Sequence, residues 1–379
     1  MASIAKRADG RWRARYRDVA GKEHSRHFER KVDAQRWLDE VTTAVTTGMY
    51  VDPGRSRITV GEWSRRWLDT KVDLKPSTKA RYVGLLRVNV LPRWGDVRLV
   101  DVTHEGVAAW VAELSASGLA PATVRQAHRV LSLTLSLAVR DGRLARNPAD
   151  HVPLPRAVKG ERIFLTVDQV EHLATASGGY RLAVLFLAYT GVRFGELSAL
   201  RVRRLDLMRR RAEIVEAVAE VRGRGLFSTP KSHQVRSVPI PRFLVDELAQ
   251  HVAGKHPDDF VFTAPRGGLL RLQNFRHTVF DRAARVAALD GLTPHSLRHT
   301  AASLAITSGA DVKVVQQMLG HASATMTLDL YGHLYGDRLD EVADRMDALR
   351  TARGLSADFL RTNPQLIMFP ELGRDAAGQ

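Results

Sequence analysis

Tyr331, in Tyr331-Gly332-His333, is a residue that could do covalent chemistry on an ester. A phenol that attacks a phosphodiester keeps the phosphate as an ester, so a strand can be broken without hydrolysis. With a pKa of about 10, only roughly 0.1% of a tyrosine is phenolate at neutral pH, so the attack needs a proton acceptor and nearby positive charge. Residues of both kinds stand upstream. Arg193 lies in Thr190-Gly191-Val192-Arg193-Phe194-Gly195-Glu196-Leu197, at a helix junction, and Lys231 lies in Thr229-Pro230-Lys231-Ser232, in or beside a hairpin. His295 and Arg298 are three apart in His295-Ser296-Leu297-Arg298-His299-Thr300 and share one helical face. His321, in Leu319-Gly320-His321-Ala322-Ser323, sits at a helix break ten residues before Tyr331. Planar guanidinium groups offer paired donors to the non-bridging oxygens of a phosphate and can replace a divalent cation there.

Each residue alone also has an ordinary reading. Arg193 could be a surface charge, Lys231 a solvated hairpin residue and Arg298 the partner of a structural carboxylate. His295 and His299 form an i, i+4 pair with His321 and His333 downstream, which would suit a metal. No glutamate stands between the pair, and the arginines would repel a cation. Tyr335 is a rival nucleophile on the face of Tyr331 if the helix continues. Ala301 to Leu319 reads as two short helices around Ser308-Gly309-Ala310-Asp311, a helix-turn-helix pattern that would suit a regulator without catalysis.

The elements that must position these side chains fall into three segments. In residues 1–55, Asp9-Gly10 signals a hairpin turn before Arg11-Trp12-Arg13-Ala14-Arg15-Tyr16-Arg17, whose period of two puts Trp12, Ala14 and Tyr16 on one face. Arg11, Arg13, Arg15 and Arg17 share the other face, as either a DNA-reading ribbon or a charged edge strand. A short run through His27 and Phe28 and a helix from Val32 to Val45 complete a small sheet with one helix behind it. Residues 58–150 are helical. Thr59-Val60-Gly61-Glu62 is a capping box, Pro76 and Pro121 open further helices, and Gly118 and Asp141-Gly142 stop two of them. Lys79 and Arg125 are candidates for a DNA-facing side of this four-helix module. Asn147-Pro148, Pro153, Pro155 and Lys159-Gly160 mark a linker. Residues 161–350 mix helices at 168–176, 180–190, 242–252 and 273–288 with one expected strand pair, Glu213–Val221 against Val235–Ile240. Residues 351–379 read as a tail.

Composition narrows the partner. Of 379 residues, 57 are Lys or Arg and 41 Asp or Glu, giving a net charge of +16 that favours a polyanion. Zero cysteines exclude disulfides, thiolate nucleophiles and Cys-ligated zinc. The near-continuous apolar run Leu182–Tyr189 is far short of a membrane span, and Met-Ala-Ser-Ile-Ala-Lys-Arg is no signal peptide, so a cytoplasmic protein is expected.

The ordered set in the third segment resembles the catalytic domain of tyrosine recombinases, the family of lambda-type phage integrases and chromosome-dimer resolving recombinases. By that resemblance Arg193, Lys231, His295, Arg298, His321 and Tyr331 match the six active-site positions. It implies that Arg193 and Arg298 clamp the phosphate, Lys231 protonates the departing 5′ oxygen, His295 is general acid and base for Tyr331, and His321 hydrogen-bonds the phosphate. Glu196 would orient Arg193. No cofactor or metal is implied. Residues 58–150 are similar to the family's helical, SAM-like core-binding domain, and residues 1–55 to its three-stranded arm-site-binding domain. Val202 departs from the family, which often has Trp there, and this bears on packing. The resemblance therefore implies a mainly α, three-domain protein that acts on double-stranded DNA at core and arm attachment sites as a homotetramer. An accessory DNA-bending or directionality factor and contacts between protomers through Leu339–Leu349 would accompany it.

Overall fold

The structure, a computed structural model, describes residues 2–18, 21–47, 50–51, 55–156, 162–221, 223–229, 235–336 and 339–352. Lys231, the linker residues Lys159-Gly160 and the tail after Ala352 lie outside the described residues. The chain divides into two compact units, residues 1–161 with 219–226 and residues 162–218 with 227–379.

The first unit begins with an antiparallel sheet of β1 (Ser3–Lys6), β2 (Trp12–Arg17) and β3 (Glu23–Phe28), with β2 in the middle. Ala14 faces Ile4 on one side and Arg26 on the other, which fixes the register. Ala14 and Tyr16 are buried against Ala34 and Leu38 of α1 (Lys31–Thr46), with Trp12, Phe28 and Trp37 around them. The period of two thus sends alternate side chains to the core and leaves Arg13, Arg15 and Arg17 on the far face.

The helical part of this unit comprises α2 (Val60–Asp69), α3 (Pro76–Leu85), α4 (Leu91–Trp94), α5 (His104–Ala116) and α6 (Pro121–Arg140). Thr59 and Glu62 close the capping box at α2, and Pro76 and Pro121 stand in the first turns of α3 and α6, where a missing N–H costs nothing. A π turn at Leu86–Val90 joins α3 to α4. Trp63, Trp67, Trp94 and Trp110 fill the core against Val124, Leu131 and Leu135 of α6. Asn147 ties the end of this part to α6, donating to Ser136 Oγ at 2.9 Å and Ser132 O at 3.1 Å.

The second unit contains α7 (Val167–Ala176), α8 (Arg181–Thr190), α9 (Phe194–Ala199), β4 (Leu205–Asp206) and β5 (Arg211–Ile214); of the strands that follow, β6 (Ala217–Val221) and β7 (Arg224–Ser228) fall largely in the stretch 219–226 grouped with the first unit, and β8 (Arg236–Pro239) returns to the second. After them come α10 (Val245–Val252), α11 (Leu272–Phe275), α12 (Asp281–Val286), α13 (Ser296–Thr307), α14 (Val312–Leu319), α15 (Ala324–Tyr331) and α16 (Leu339–Ala352). The expected single strand pair is split in two. Only β5 pairs with β8, Ala212 opposite Val238 and Ile214 opposite Arg236, while residues 217–221 turn back on β7 as a separate hairpin. Ala212, Ile214 and Val238 are buried core residues, whereas no residue of β6 is buried. That difference in burial separates the strands. The run Ala183–Ala188 of α8 is buried in the main core, and α13, α14 and α15 share a smaller core that includes Tyr331. Among the described residues no helix is long and apolar enough to cross a membrane.

Candidate active site

The site is assembled where α8 stops. Gly191 caps α8 with a φ of +66°, and a Cβ there would lie 2.7 Å from Leu319 Cδ2, so only glycine permits both the turn and the approach of α14. The turn delivers Arg193 to the N-cap of α9. Glu196, one turn on and 1% exposed, accepts from the Arg193 backbone N–H at 2.9 Å and from Arg193 Nη1 at 2.9 Å. The same carboxylate accepts from Arg236 Nη1 at 3.1 Å and Nη2 at 2.5 Å. Burial pushes the Glu196 carboxyl up, but the hydrogen bond and charge of Arg236, with help from Arg193, outweigh this and hold it below the usual carboxylate range. Arg236 also donates from Nε to Met318 O at 3.1 Å and passes Gly320, where a Cβ would lie 2.9 Å from its Cδ.

Arg298 joins the same segments from α13. Its Nη1 donates to Gly191 O at 2.6 Å and its Nη2 to Leu319 O at 2.5 Å, tying the α8 cap to the end of α14. Burial and the neighbouring Arg193 push its pKa down to about 9, which leaves it cationic at neutral pH. Two of its five N–H donors suffice for these carbonyls, so three remain for a ligand.

Tyr331 closes α15 and is 1% exposed. Its hydroxyl lies 2.8 Å from His299 Nδ1, and the His321 ring runs parallel to the phenol at 6.4 Å between centroids. Burial raises the phenol above its ordinary 10, against the opposing fields of Arg298 and Arg162. Arg162 donates to Leu330 O at 2.7 Å. His321 Nδ1 is 2.9 Å from Thr327 Oγ1, and burial with the charges of Arg298, Arg193 and Arg236 pushes its pKa down to about 4. His299 is also pushed down to about 4, by burial first and then by His295, Arg162 and Arg298. Both imidazoles are neutral at physiological pH.

Of the residues singled out from the sequence, Arg193, Arg298, His321 and Tyr331 lie in one electrostatically connected cluster, with His295 exposed at the start of α13, its ring 5.2 Å from that of His299. The imidazole on the phenol is therefore His299, one turn beyond the residue expected there. Arg236 was also missed. Its strand alternation, Arg236 pointing the way of buried Val238, was the legible signal, because an arginine on a core-facing register must have a buried partner. Tyr335 is not on a continuing helix, since α15 ends at Tyr331, and its hydroxyl is buried without a hydrogen-bond partner among the described residues. Among the described residues no group of His, Asp and Glu is disposed to hold a metal. Arg13, Arg15 and Arg17 lie on the far face of the sheet, where Glu23 sits 3.6 Å from Arg15 and 3.8 Å from Arg17. Arg11 precedes β2, and Lys79 on α3 and Arg125 on α6 are exposed.

The sequence pattern of the phage integrase family matches residues 163–338, the segment that holds this cluster, and that of the phage integrase N-terminal domain matches residues 2–47. The chain belongs to the phage integrase family. It is 29% identical over 360 residues to a putative prophage phiRv2 integrase of Mycobacterium tuberculosis, covering 90% of this chain and 93% of that one. The integrase of the transposon Tn1549, solved with a circular intermediate DNA, shares the fold with a TM-score of 0.66 at 20% identity, covering 77% of this chain and 99% of that one. A lambda integrase tetramer bound to a Holliday junction shares it with a TM-score of 0.55 at 21% identity, covering 85% and 96%. As a member of this family the chain is a tyrosine-type site-specific DNA recombinase.

Proposed function

We propose that Tyr331 is the residue through which this recombinase cuts and rejoins DNA, integrating or excising a phage or other mobile element. The observation that carries this reading is the buried phenol of Tyr331 lying in the field of Arg298, with His299 on its hydroxyl and His321 alongside. In the reaction the phenol oxygen bonds to phosphorus, the bond from phosphorus to the 5′ oxygen breaks, and a 3′-phosphotyrosyl ester and a 5′ hydroxyl result. Arg193 and Arg298 hold the non-bridging oxygens, and Glu196 and Arg236 keep Arg193 in place. Lys231 gives a proton to the leaving 5′ oxygen. His295 serves proton transfer and His321 hydrogen-bonds the phosphate. Since the ester is preserved, the chemistry of this site calls for neither ATP nor a metal.

The layout we propose has three domains and a tail. Residues 1–55 form an arm-site domain whose Arg11, Arg13, Arg15 and Arg17 meet DNA, residues 58–150 a core-site domain using Lys79 and Arg125, residues 161–350 the catalytic domain, and 351–379 a tail. The separate hydrophobic clusters of the sheet and of the helical part support the first boundary. The lambda integrase tetramer on a Holliday junction supports four copies acting on two double-stranded DNA partners; the proposed place of action is the cytoplasm of a bacterial host. An accessory bending or directionality factor would choose between integration and excision.

A nicked suicide duplex tests the assignment, because loss of the fragment beyond the nick traps the covalent intermediate. The chain yields a protease-sensitive adduct on a 3′ end, and Tyr331→Phe yields none while still binding the duplex. An adduct of undiminished yield in Tyr331→Phe would overturn it, and its appearance only with Tyr335 intact would move the nucleophile there.

A further inference from the structure

The phenol of Tyr331 has a specific partner in the unliganded chain. Its Oη and His299 Nδ1 are 2.8 Å apart, with the two rings inclined at 58°. A neutral imidazole that carries its proton on Nε2 presents Nδ1 as an acceptor, so the hydroxyl hydrogen then lies on the line along which it would be removed. His299 is placed firmly. It sits one turn inside α13, between buried Arg298 and buried Thr300, and Thr300 Oγ1 accepts the Leu165 N–H at 3.1 Å. His295 stands at the exposed start of that helix, its ring 5.2 Å from that of His299.

Resting on the reading of Tyr331 as nucleophile, the geometry points to His299, in place of His295, as the catalytic base that takes the Tyr331 proton during cleavage and returns it on rejoining. The Oη–H bond breaks as an Nδ1–H bond forms, the phenolate oxygen bonds to phosphorus, and the 5′ oxygen leaves with a proton from Lys231. Rejoining runs the same transfers backwards. The charged and titratable groups facing His299 are His295 and Arg298 from α13, Arg162 from the stretch before α7, Tyr331 from α15, and His321. Three of them are basic groups that disfavour a proton on His299. An incoming phosphodiester anion offsets that field, so the imidazole becomes a better base as the substrate docks.

The test compares suicide duplexes with oxygen or sulfur at the 5′ bridging position, since a thiolate leaves without needing a proton. His299→Gln should bind both with the affinity of the unaltered chain and cleave both about 100-fold more slowly or worse, the scale of lost general base catalysis. Its rate should climb with pH as solvent forms more phenolate. Lys231→Ala should be slow on the oxygen duplex alone. Cleavage by His299→Gln within about threefold of the unaltered chain, or a defect erased by sulfur, would overturn the assignment. So would failure of both His299→Gln and His299→Asn to bind DNA, which would mark a structural residue. An adduct in Tyr331→Phe sinks the nucleophile reading itself, whereas an inert Tyr331→Phe beside an active His299→Gln sinks only the role of His299.

Discussion

Glu196→Gln removes one charge from a fully enclosed carboxylate and preserves its size. Both oxygens of Glu196 are occupied, Oε1 by Arg193 Nη1 at 2.9 Å and Arg236 Nη1 at 3.1 Å, Oε2 by the Arg193 backbone N–H at 2.9 Å and Arg236 Nη2 at 2.5 Å. A carboxamide has one acceptor oxygen and turns its own donors on the rest, so Arg236, with a side chain 8% exposed, loses its counter-charge. Breaking one side of a buried pair costs about 3–5 kcal/mol, which for a unit of this size lowers Tm by roughly 10 °C. Because the carboxyl is held below its ordinary pKa in the fold, its contribution is complete above the unfolded value of about 4.3 and disappears as pH falls through the folded value. Scanning calorimetry near neutral pH should show the drop, and suicide-duplex cleavage should fall with it as Arg193 loses its orientation. Removing both charges in Glu196→Gln with Arg236→Met should recover most of the stability, since a matched apolar replacement of a buried pair is often neutral. A Tm for Glu196→Gln within about 2 °C of the unaltered chain, or a double variant no better than the single, would refute the reasoning.

Two further outcomes follow from the same geometry. His299 and His321 are both neutral in the fold down to about pH 4, while the unfolded chain gains protons below its ordinary value of 6.5. Stability to urea is therefore complete above pH 6.5 and declines between 6.5 and 4, and the double replacement by Gln should flatten that decline; an equally steep decline without the two imidazoles would contradict it. Arg13, which forms no ion pair among the described residues, is the arginine of β2 most available to a phosphate. Arg13→Ala should reduce the slope of log affinity against log salt for arm-site DNA by about 0.9, measured by anisotropy titration, and an unchanged slope removes Arg13 from the interface.

Local rules carried much of the fold into the sequence. The capping box of Thr59 and Glu62, the prolines at Pro76 and Pro121 and the stop after Ala116 act within one helical turn, so the ends they mark in α2, α3, α5 and α6 were legible within a residue or two, whereas the short α4 and the π turn before it were not. The alternation around Ala14 and Tyr16 likewise determined which face of β2 meets α1. The order Arg193, His295, Arg298, His321, Tyr331 pointed to the family through its resemblance to a known set, and the chemistry of a weak phenol separately asks for residues of these types. What depended on tertiary packing was which partners meet. The split of residues 213–221 between two sheets was settled by which side chains reached the main core, and the pairing of Ile214 with Arg236 is a contact across 22 residues. Arg236 on Glu196 and His299 on Tyr331 join positions 40 and 32 residues apart. The types of residue needed at the site are a matter of chemistry and can be read along the chain, but a choice between two histidines one turn apart is made by the packing of α13 against α15, which no local pattern encodes.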